Sequence, residues 1–283
     1  MTGIRFYKMT GSGNDFVFVD GSEHPVESWP AAAIRAACDR RTGVGGDGLV
    51  VLTPEGPEAV RMVYFNADGS RAGMCGNAAL CSTRLAARLG LAPATGMILH
   101  TDTGLLKTRC VGPGWAAELL LPDFELPVQA GLPLVAGERW LVRGTVGVPH
   151  LVLLVDHIAS VDVEGRGRSL REHPAFGPDG VNVNFVGKSE PGADCSWRLR
   201  TYERGVEAET LACGTGTVAA AFALASQGLE TLPVRIGSWG GNIFSVAGRI
   251  DGSTAVEPWL CGEGRLVFEG ELLSPTQGQV HNP

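Results

Sequence analysis

Hydrophobic and polar residues alternate in short blocks along most of this chain, and few stretches carry the longer period of a helix. Ile4–Met9, Phe16–Asp20, Leu49–Thr53, Met62–Phe65, Leu105–Val111, Ala116–Leu121, Trp140–Val146, Leu151–Val155, Val181–Val186, Trp197–Tyr202, Val234–Ile236, Ile243–Val246 and Arg265–Leu272 are rich in β-branched and aromatic residues and are bounded by turn residues. Each is predicted as a strand. Helices are expected in three places: Ala31–Arg40, opened by Pro30 at a first-turn position, and the segments that follow Cys75 and Cys213. The last of these, Gly214–Gln227, is apolar on nearly every side, so protein has to surround it. In a strand-rich chain that predicts a curved sheet wrapped around one central helix.

The two cysteine-led segments read as copies. Met74-Cys-Gly-Asn-Ala-Ala-Leu-Cys runs on to Leu89-Gly-Leu91, and Ala212-Cys-Gly-Thr-Gly-Thr-Val-Ala runs on to Gln227-Gly-Leu229. From Cys to terminal Gly is 15 residues in both (90 − 75 and 228 − 213). Both end as a left-handed C-cap with a hydrophobic contact behind it would require. The offset of 138 residues (213 − 75) is close to half of the 283-residue chain, which implies a duplicated architecture. That length also corresponds to roughly two domains. Two such units side by side would bring the cysteine-led helix ends towards a shared cleft. The second domain is expected to begin near residues 123–130, where Pro122, Pro127 and Pro133 interrupt the strand pattern.

Composition narrows the function. Forty glycines, about twice the usual share, mark turns between strands. With 44% hydrophobic and 19% charged residues the chain is an ordinary globule. The net charge of −7 and the scattered Lys and Arg argue against nucleic acid or an acidic membrane as partner. Met1–Met9 lacks the apolar core of an export signal. The seven cysteines (Cys38, Cys75, Cys81, Cys110, Cys195, Cys213, Cys261) are therefore expected to be reduced thiols of a cytoplasmic protein. No Cys-x-x-Cys or paired-His spacing supports a metal site. Gly43-Val-Gly-Gly-Asp-Gly48 satisfies G-x-G-x-x-G, but it follows a helix and precedes a strand, the reverse of a dinucleotide fingerprint.

A thiol at the head of a helix is expected to be acidified by the unpaired N–H groups and the helix dipole. Those N–H groups also bind a carboxylate, and the Gly after each cysteine lets a ligand approach. Two thiols addressing one carbon from opposite sides suit stereochemical inversion: a thiolate removes a proton and a thiol returns one to the other face. The helix ends would hold the α-carboxylate and stabilise the developing carbanion.

At the level of motifs, Phe6-Tyr-Lys-Met-Thr-Gly-Ser-Gly-Asn-Asp-Phe-Val17, Phe65-Asn-Ala-Asp-Gly-Ser70, Met74-Cys-Gly-Asn77, Gly147-Val-Pro-His150, Asn182-Val-Asn-Phe185, Tyr202-Glu-Arg-Gly-Val206 and Glu209-Thr-Leu-Ala-Cys-Gly-Thr-Gly216 resemble the diaminopimelate epimerase family, in the family's order, from near residue 4 to about residue 272. The resemblance implies an α+β fold of two pseudo-symmetric domains, each a mostly antiparallel pseudo-barrel roll around a central helix. The final strand crosses back, so the domains are residues 1–126 with 264–283, and residues 127–263. It implies an isomerase that needs no pyridoxal or other cofactor and no metal, and that interconverts LL- and meso-diaminopimelate for lysine and cell-wall synthesis. Its partner would be a small amino acid, neither nucleic acid nor membrane, and a homodimer stays open.

Carried over by position, Cys75 and Cys213 match the acid/base pair, and Gly76-Asn77 and Gly214-Thr215 match the clamps on the reacting carboxylate. Asn14, Asn66, Asn182, Glu203 and Arg204 match the residues that hold the amino groups and the far carboxylate. A guanidinium suits that carboxylate because it binds it as a bidentate fork. Glu203 could also tune a thiol, and His150 matches a histidine suspected of modulating thiol ionisation; a structural role for His150, and turn capping by Asn14 and Asn66, are the alternatives.

The chain departs from the family at Val148, where Asn is usual, and at Ala78 and Leu80 after Cys75; Gly48 stands where some members carry Gln. Val148 keeps open a same-family racemase of a histidine-type or substituted-serine substrate. From other classes, a thiol redox protein would use Cys75 with Cys81 or Cys213 and leave Asn14, Glu203 and Arg204 unexplained, and a non-catalytic amino-acid binder would leave both thiols without a task. Cys81 itself is read as packing.

Overall fold

The computed structural model describes residues 3–273. It divides into two compact units. The first holds the described residues up to Leu119 and those from Gly262 onward, and the second is Leu120–Cys261. The expected tail of the first domain beyond residue 273, like residues 1–2, lies outside the described residues.

The first unit contains β1 (Ile4–Gly11), β2 (Asn14–Asp20), α1 (Ala31–Cys38), β3 (Gly48–Pro54), β4 (Ala59–Asn66), β5 (Arg71–Ala72), α2 (Gly76–Leu89), β6 (Met97–Thr101), β7 (Gly104–Val111) and β8 (Ala116–Leu120). The second contains β9 (Phe124–Glu125), β10 (Val128–Gln129), β11 (Glu138–Val146), β12 (Val148–Val155), α3 (Val163–Arg171), β13 (Asn182–Lys188), β14 (Trp197–Glu203), β15 (Ala208–Thr210), α4 (Gly214–Ser226), β16 (Val234–Ser238), β17 (Ile243–Asp251) and β18 (Thr254–Glu263). The last strand, β19 (Arg265–Leu272), returns to pair antiparallel with β1.

The duplication extends to the hydrogen-bonding pattern. In the first unit β2 runs parallel to β3 and β4 to β6; in the second β12 runs parallel to β13 and β14 to β16. The other pairs within these sheets are antiparallel. The fold is α+β with a mostly antiparallel sheet around a central helix in each unit.

Strand periodicity explains the layers, because alternate side chains leave opposite faces of a sheet. Phe16, Phe18, Val50, Leu52, Met62 and Tyr64 pack with Ala78, Leu80 and Leu85 of α2. The residues between them, Val17, Val19, Leu49, Val51, Val63 and Phe65, pack with Ile34 and Ala37 of α1. The second unit repeats this, with Val152, Val186 and Leu199 against α4, and Leu151, Leu153, Val183 and Phe185 against Val163 and Leu170 of α3. Residues Gly216–Leu224 of α4 are buried without interruption, as its all-apolar surface requires.

Both central helices end as expected. Gly90 and Gly228 take φ of 70° and 69°, and the N–H groups of Leu91 and Leu229 reach back to Ala86 and Leu224 at 2.9 and 3.0 Å.

The structure differs from the sequence reading in several places. The crossing into the second unit comes at Leu120, before the prolines, because Phe124–Glu125 is extended and pairs with β18 while Phe124 stacks edge-on against Phe222. The return crossing comes at Gly262, not 264. Strands β6 and β18, and the two- and three-residue β5, β9, β10 and β15, were not anticipated. β18 carries Pro258, a residue that argues against a strand. Its irregularity is absorbed where Glu257 takes φ of 51° opposite a register shift at Ala247/Arg249. Helix α3 was also missed: two Gly and three Arg dilute its apolar stripe, and Asp162, which accepts from Gly165 N at 2.9 Å, is its start signal. Helix α1 stops at Cys38 rather than Arg40, and Pro30 sits at its N-cap, not in its first turn.

Candidate active site

In the first unit Cys75 is the N-cap of α2, in extended backbone (φ −138°, ψ 122°), and its side chain makes no capping hydrogen bond. The first intrahelical bond runs from Ala79 N to Cys75 O at 2.9 Å, which leaves the N–H groups of the opening turn without helical partners. A Cβ added to Gly76 would meet nothing within 4 Å, so this face admits a ligand. Asn77 Nδ2 donates to Asn14 Oδ1 at 2.8 Å, and Asn14 Nδ2 donates to Asp47 Oδ2 at 2.8 Å. Because a carboxylate only accepts, Asp47 decides which way the Asn14 amide faces.

Asp47 is itself paired with Arg40 (2.8 Å), which also grips Asp15 through two bonds of 2.9 and 2.6 Å, while the buried Lys8 approaches Asp15 at 2.6 Å. Burial raises the Asp15 carboxyl, but Arg40 and Lys8 outweigh it and hold the group down at about 2. The structure thus gathers Cys75, Gly76, Asn77 and Asn14. Asn66 ends β4 opposite Gly48, and its amide donates to Ser70 Oγ at 3.0 Å within its own turn. A side chain at Gly48 has no room, since its Cβ would lie 2.3 Å from the Phe65 carbonyl.

In the second unit Cys213 caps α4 with matching backbone (φ −134°, ψ 106°), and Thr217 N donates to Cys213 O at 2.9 Å. His150, fully buried on β12, places Nε2 3.1 Å from Thr215 Oγ1 and Nδ1 3.1 Å from Asn184 Nδ2. Thr215 Oγ1 lies 3.8 Å from Cys213 Sγ. Asn182 Oδ1 accepts from Arg204 N at 2.9 Å, and Glu203 accepts from Thr210 Oγ1 at 2.8 Å. Arg204 is half-buried and, among the described residues, forms no ion pair, the neighbouring Glu207 and Glu209 being taken by Arg171 and Arg200. The opening glycine of α4, Gly214, faces Leu260.

Electrostatics corrects one expectation. Burial pushes the Cys213 thiol up to about 11, and the nearby Glu203 carboxylate adds to it; the Gly216 N–H and the Thr215 hydroxyl only partly oppose this. The N–H at the helix head does not leave this thiol acidified, because desolvating the thiolate costs more than that bond returns. His150 is held down to about 3 by burial and then by Arg204, so its imidazole is neutral. Cys81 is wholly buried in the core around α2, and burial raises its thiol well above the ordinary range, in keeping with packing.

Asp47, Asn184 and Thr201 escaped the sequence reading. The signal for Asn184 was present: Asn182 and Asn184 occupy alternate positions in an otherwise apolar strand and share one face. Among the described residues no three His, Cys, Asp or Glu side chains converge to hold a metal, and no helix is long and apolar enough to cross a membrane.

Comparison with known proteins agrees with this construction. The family model described as diaminopimelate epimerase matches residues 6–117 and 144–256, one segment in each half. A diaminopimelate epimerase of Gemmatimonas aurantiaca is 46% identical over 281 residues, covering 95% of this chain and 99% of that protein. One from Aquifex aeolicus is 36% identical, covering 95% and 98%. Among solved structures, a phenazine biosynthesis protein of the PhzF family from Bacillus anthracis superposes with a TM-score of 0.70 at 13% identity, covering 96% and 100% of the two chains. A hydroxyproline epimerase from Agrobacterium vitis does so with a TM-score of 0.60 at 19% identity, covering 95% and 92%. The structural likenesses establish the fold alone, whereas the family model and the near full-length relatives go further: this chain belongs to the diaminopimelate epimerase family and is an isomerase.

Proposed function

We propose that the chain interconverts LL- and meso-diaminopimelate without a cofactor, using Cys75 and Cys213 as an acid/base pair, in the cytoplasmic synthesis of lysine and peptidoglycan. The observation that carries this reading is the repeated construction. Each unit sets a cysteine at the N-cap of its buried central helix, with the same backbone geometry and a glycine behind it.

The chemistry follows from the residues. The opening N–H groups of α2 and α4 would receive the α-carboxylate and the charge that builds on it as the α-proton leaves. One sulfur, as thiolate, takes that proton; the other, as thiol, gives its own to the opposite face. The carbon is inverted and the two sulfurs have exchanged protonation states. With its thiol pushed up to about 11, Cys213 enters the empty site carrying its proton, ready to donate. Arg204, without an ion-pair partner among the described residues, suits the distal carboxylate as a bidentate fork. Asn66, Asn182 and Glu203 would supply acceptors and donors for the distal amino acid centre, and Gly76, Asn77, Gly214 and Thr215 would line the carboxylate clamps.

A second reading rests on Val148. It opens β12 as Asn14 opens β2, so an apolar side chain stands where the other unit has an amide. A racemase for an amino acid lacking the second polar end would fit that substitution. Incubation in deuterated water with LL-diaminopimelate and a panel of L-amino acids separates the two. Deuterium should enter the α-position of diaminopimelate together with inversion; entry into other amino acids alone would overturn the substrate assignment.

The redox alternative is tested by Cys81→Ala. The variant should keep wild-type turnover and lose about 1 kcal/mol of stability through the vacated core volume. A resolving thiol would make it inactive.

A further inference from the structure

We infer that Asn184, seated by Thr201, is a positioning residue that locks His150 in its Nε2–H tautomer and so aims the Thr215 hydroxyl proton at the sulfur of Cys213. The inference deepens the acid/base reading of Cys213 and rests on it.

The argument is one of donors and acceptors. The Leu151 carbonyl can only accept, and it takes a bond of 2.9 Å from Asn184 Nδ2. Asn184 Oδ1 takes a bond of 2.9 Å from the Thr201 hydroxyl. The acceptor-only carbonyl fixes which way round the amide sits and the Thr201 hydroxyl, which can donate or accept, secures it there, so the second N–H of Asn184 faces His150 Nδ1 at 3.1 Å. Nδ1 must then accept. A neutral imidazole carries one proton, so that proton is on Nε2 and points to Thr215 Oγ1, 3.1 Å away. A hydroxyl that receives one bond has its own proton free to give, and Cys213 Sγ is 3.8 Å away. A bond donated to sulfur favours thiolate over thiol. It works against the burial and the Glu203 carboxylate that favour the thiol, on the same side as the Gly216 N–H. The positive charge of Arg204 acts on His150 and, after burial, helps to keep it neutral.

Two further features support a built device. A Cβ at Gly216 would come within 2.1 Å of Asn184 Oδ1 and 3.2 Å of Cys213 Sγ, so the first turn of α4 leaves room for this amide. The matched register of the first unit has no such chain. Where β12 pairs His150 with Asn182, β2 pairs Phe16 with Gly48; where Asn184 faces Thr201, Val50 faces Tyr64. Phe16 and Tyr64 stack edge-on at 5.9 Å. The polar chain thus serves Cys213, the thiol that burial would otherwise hold protonated, and the matched positions of the first unit do not repeat it.

The test is nitrogen NMR of the unliganded protein labelled with ¹⁵N-histidine, the His150 signals being identified by their loss in His150→Gln. Wild type should show an unprotonated Nδ1, a protonated Nε2 and no titration between about pH 5 and pH 8. Asn184→Val, which installs the residue of the first unit, should give mixed tautomers. It should also shift upward the limb of the pH–kcat profile that belongs to Cys213, lowering kcat by about ten- to a hundredfold with little change in KM. Thr201→Ser should keep the wild-type tautomer and Thr201→Val should lose it, which decides the matter even if Asn184→Val does not fold. A protonated Nδ1 in wild type, or an unchanged pH profile in folded Asn184→Val, would overturn the inference. Because the tautomer is read without substrate, it stands or falls independently of the deuterium experiment.

Discussion

Cys75→Ala and Cys213→Ala should each lower the rate of inversion by about a thousandfold or more, since a positioned general acid or base contributes on the order of 10² to 10⁴. Loss of one partner also leaves the second half of the proton exchange undone. The two variants should not be equivalent when followed in deuterated water. A surviving thiolate can still remove and return a proton on its own face. Each variant should therefore exchange the α-hydrogen of one stereoisomer, a different one in each case, without inverting it. Exchange without inversion, in opposite isomers for the two variants, is the signature of two bases on two faces. Near-normal inversion in either variant would end the mechanism. The double variant should show neither exchange nor inversion.

Gly264→Ala should cost about 3 kcal/mol, at the upper end of what overpacking a well-filled core removes. Gly264 lies between β18 and β19, where the chain returns to the first unit, and it touches α2 directly. An added Cβ would sit 2.5 Å from the Leu80 carbonyl oxygen and 2.9 Å from Cys81 N. These are backbone atoms of a buried helix, so no flexible side chain can give way, and the helix that carries Cys75 would have to move. Urea unfolding should show the midpoint falling, and turnover should fall with it. Gly96→Ala is the control, because its Cβ would meet nothing within 4 Å and it should be close to neutral. Equal midpoints for the two variants would mean that α2 is not held at this contact.

The residues that carried the site were readable wherever their signal was local. Cys75 and Cys213 stood out because each precedes glycine at the head of a segment that ends in Gly-Leu, and both cap their helices as that pattern implies. Phe16–Asp20 and Leu49–Thr53 were legible as strands, but which residues face α2 and which face α1 came from the structure, because both faces are apolar. Where the signal depended on a partner far along the chain, it failed. Pro258 concealed β18 because only the irregular pairing with β17 shows how a strand accommodates it. Asn14 was matched by motif to a substrate-holding position, but Asp47, which lies 33 positions away and orients its amide, gave no signal in the sequence.

The sequence alone determined the two-fold repeat, the strand-dominated layers and the position of each cysteine at a helix start, because periodicity, glycine caps and apolar runs act over a few residues. Only the tertiary structure decided the ionisation of those groups and the order of their hydrogen bonds. The raised thiol of Cys213, the neutral His150 and the fixed amide of Asn184 depend on what is packed around each one, and burial of a charge is a property of that surrounding, not of the residue.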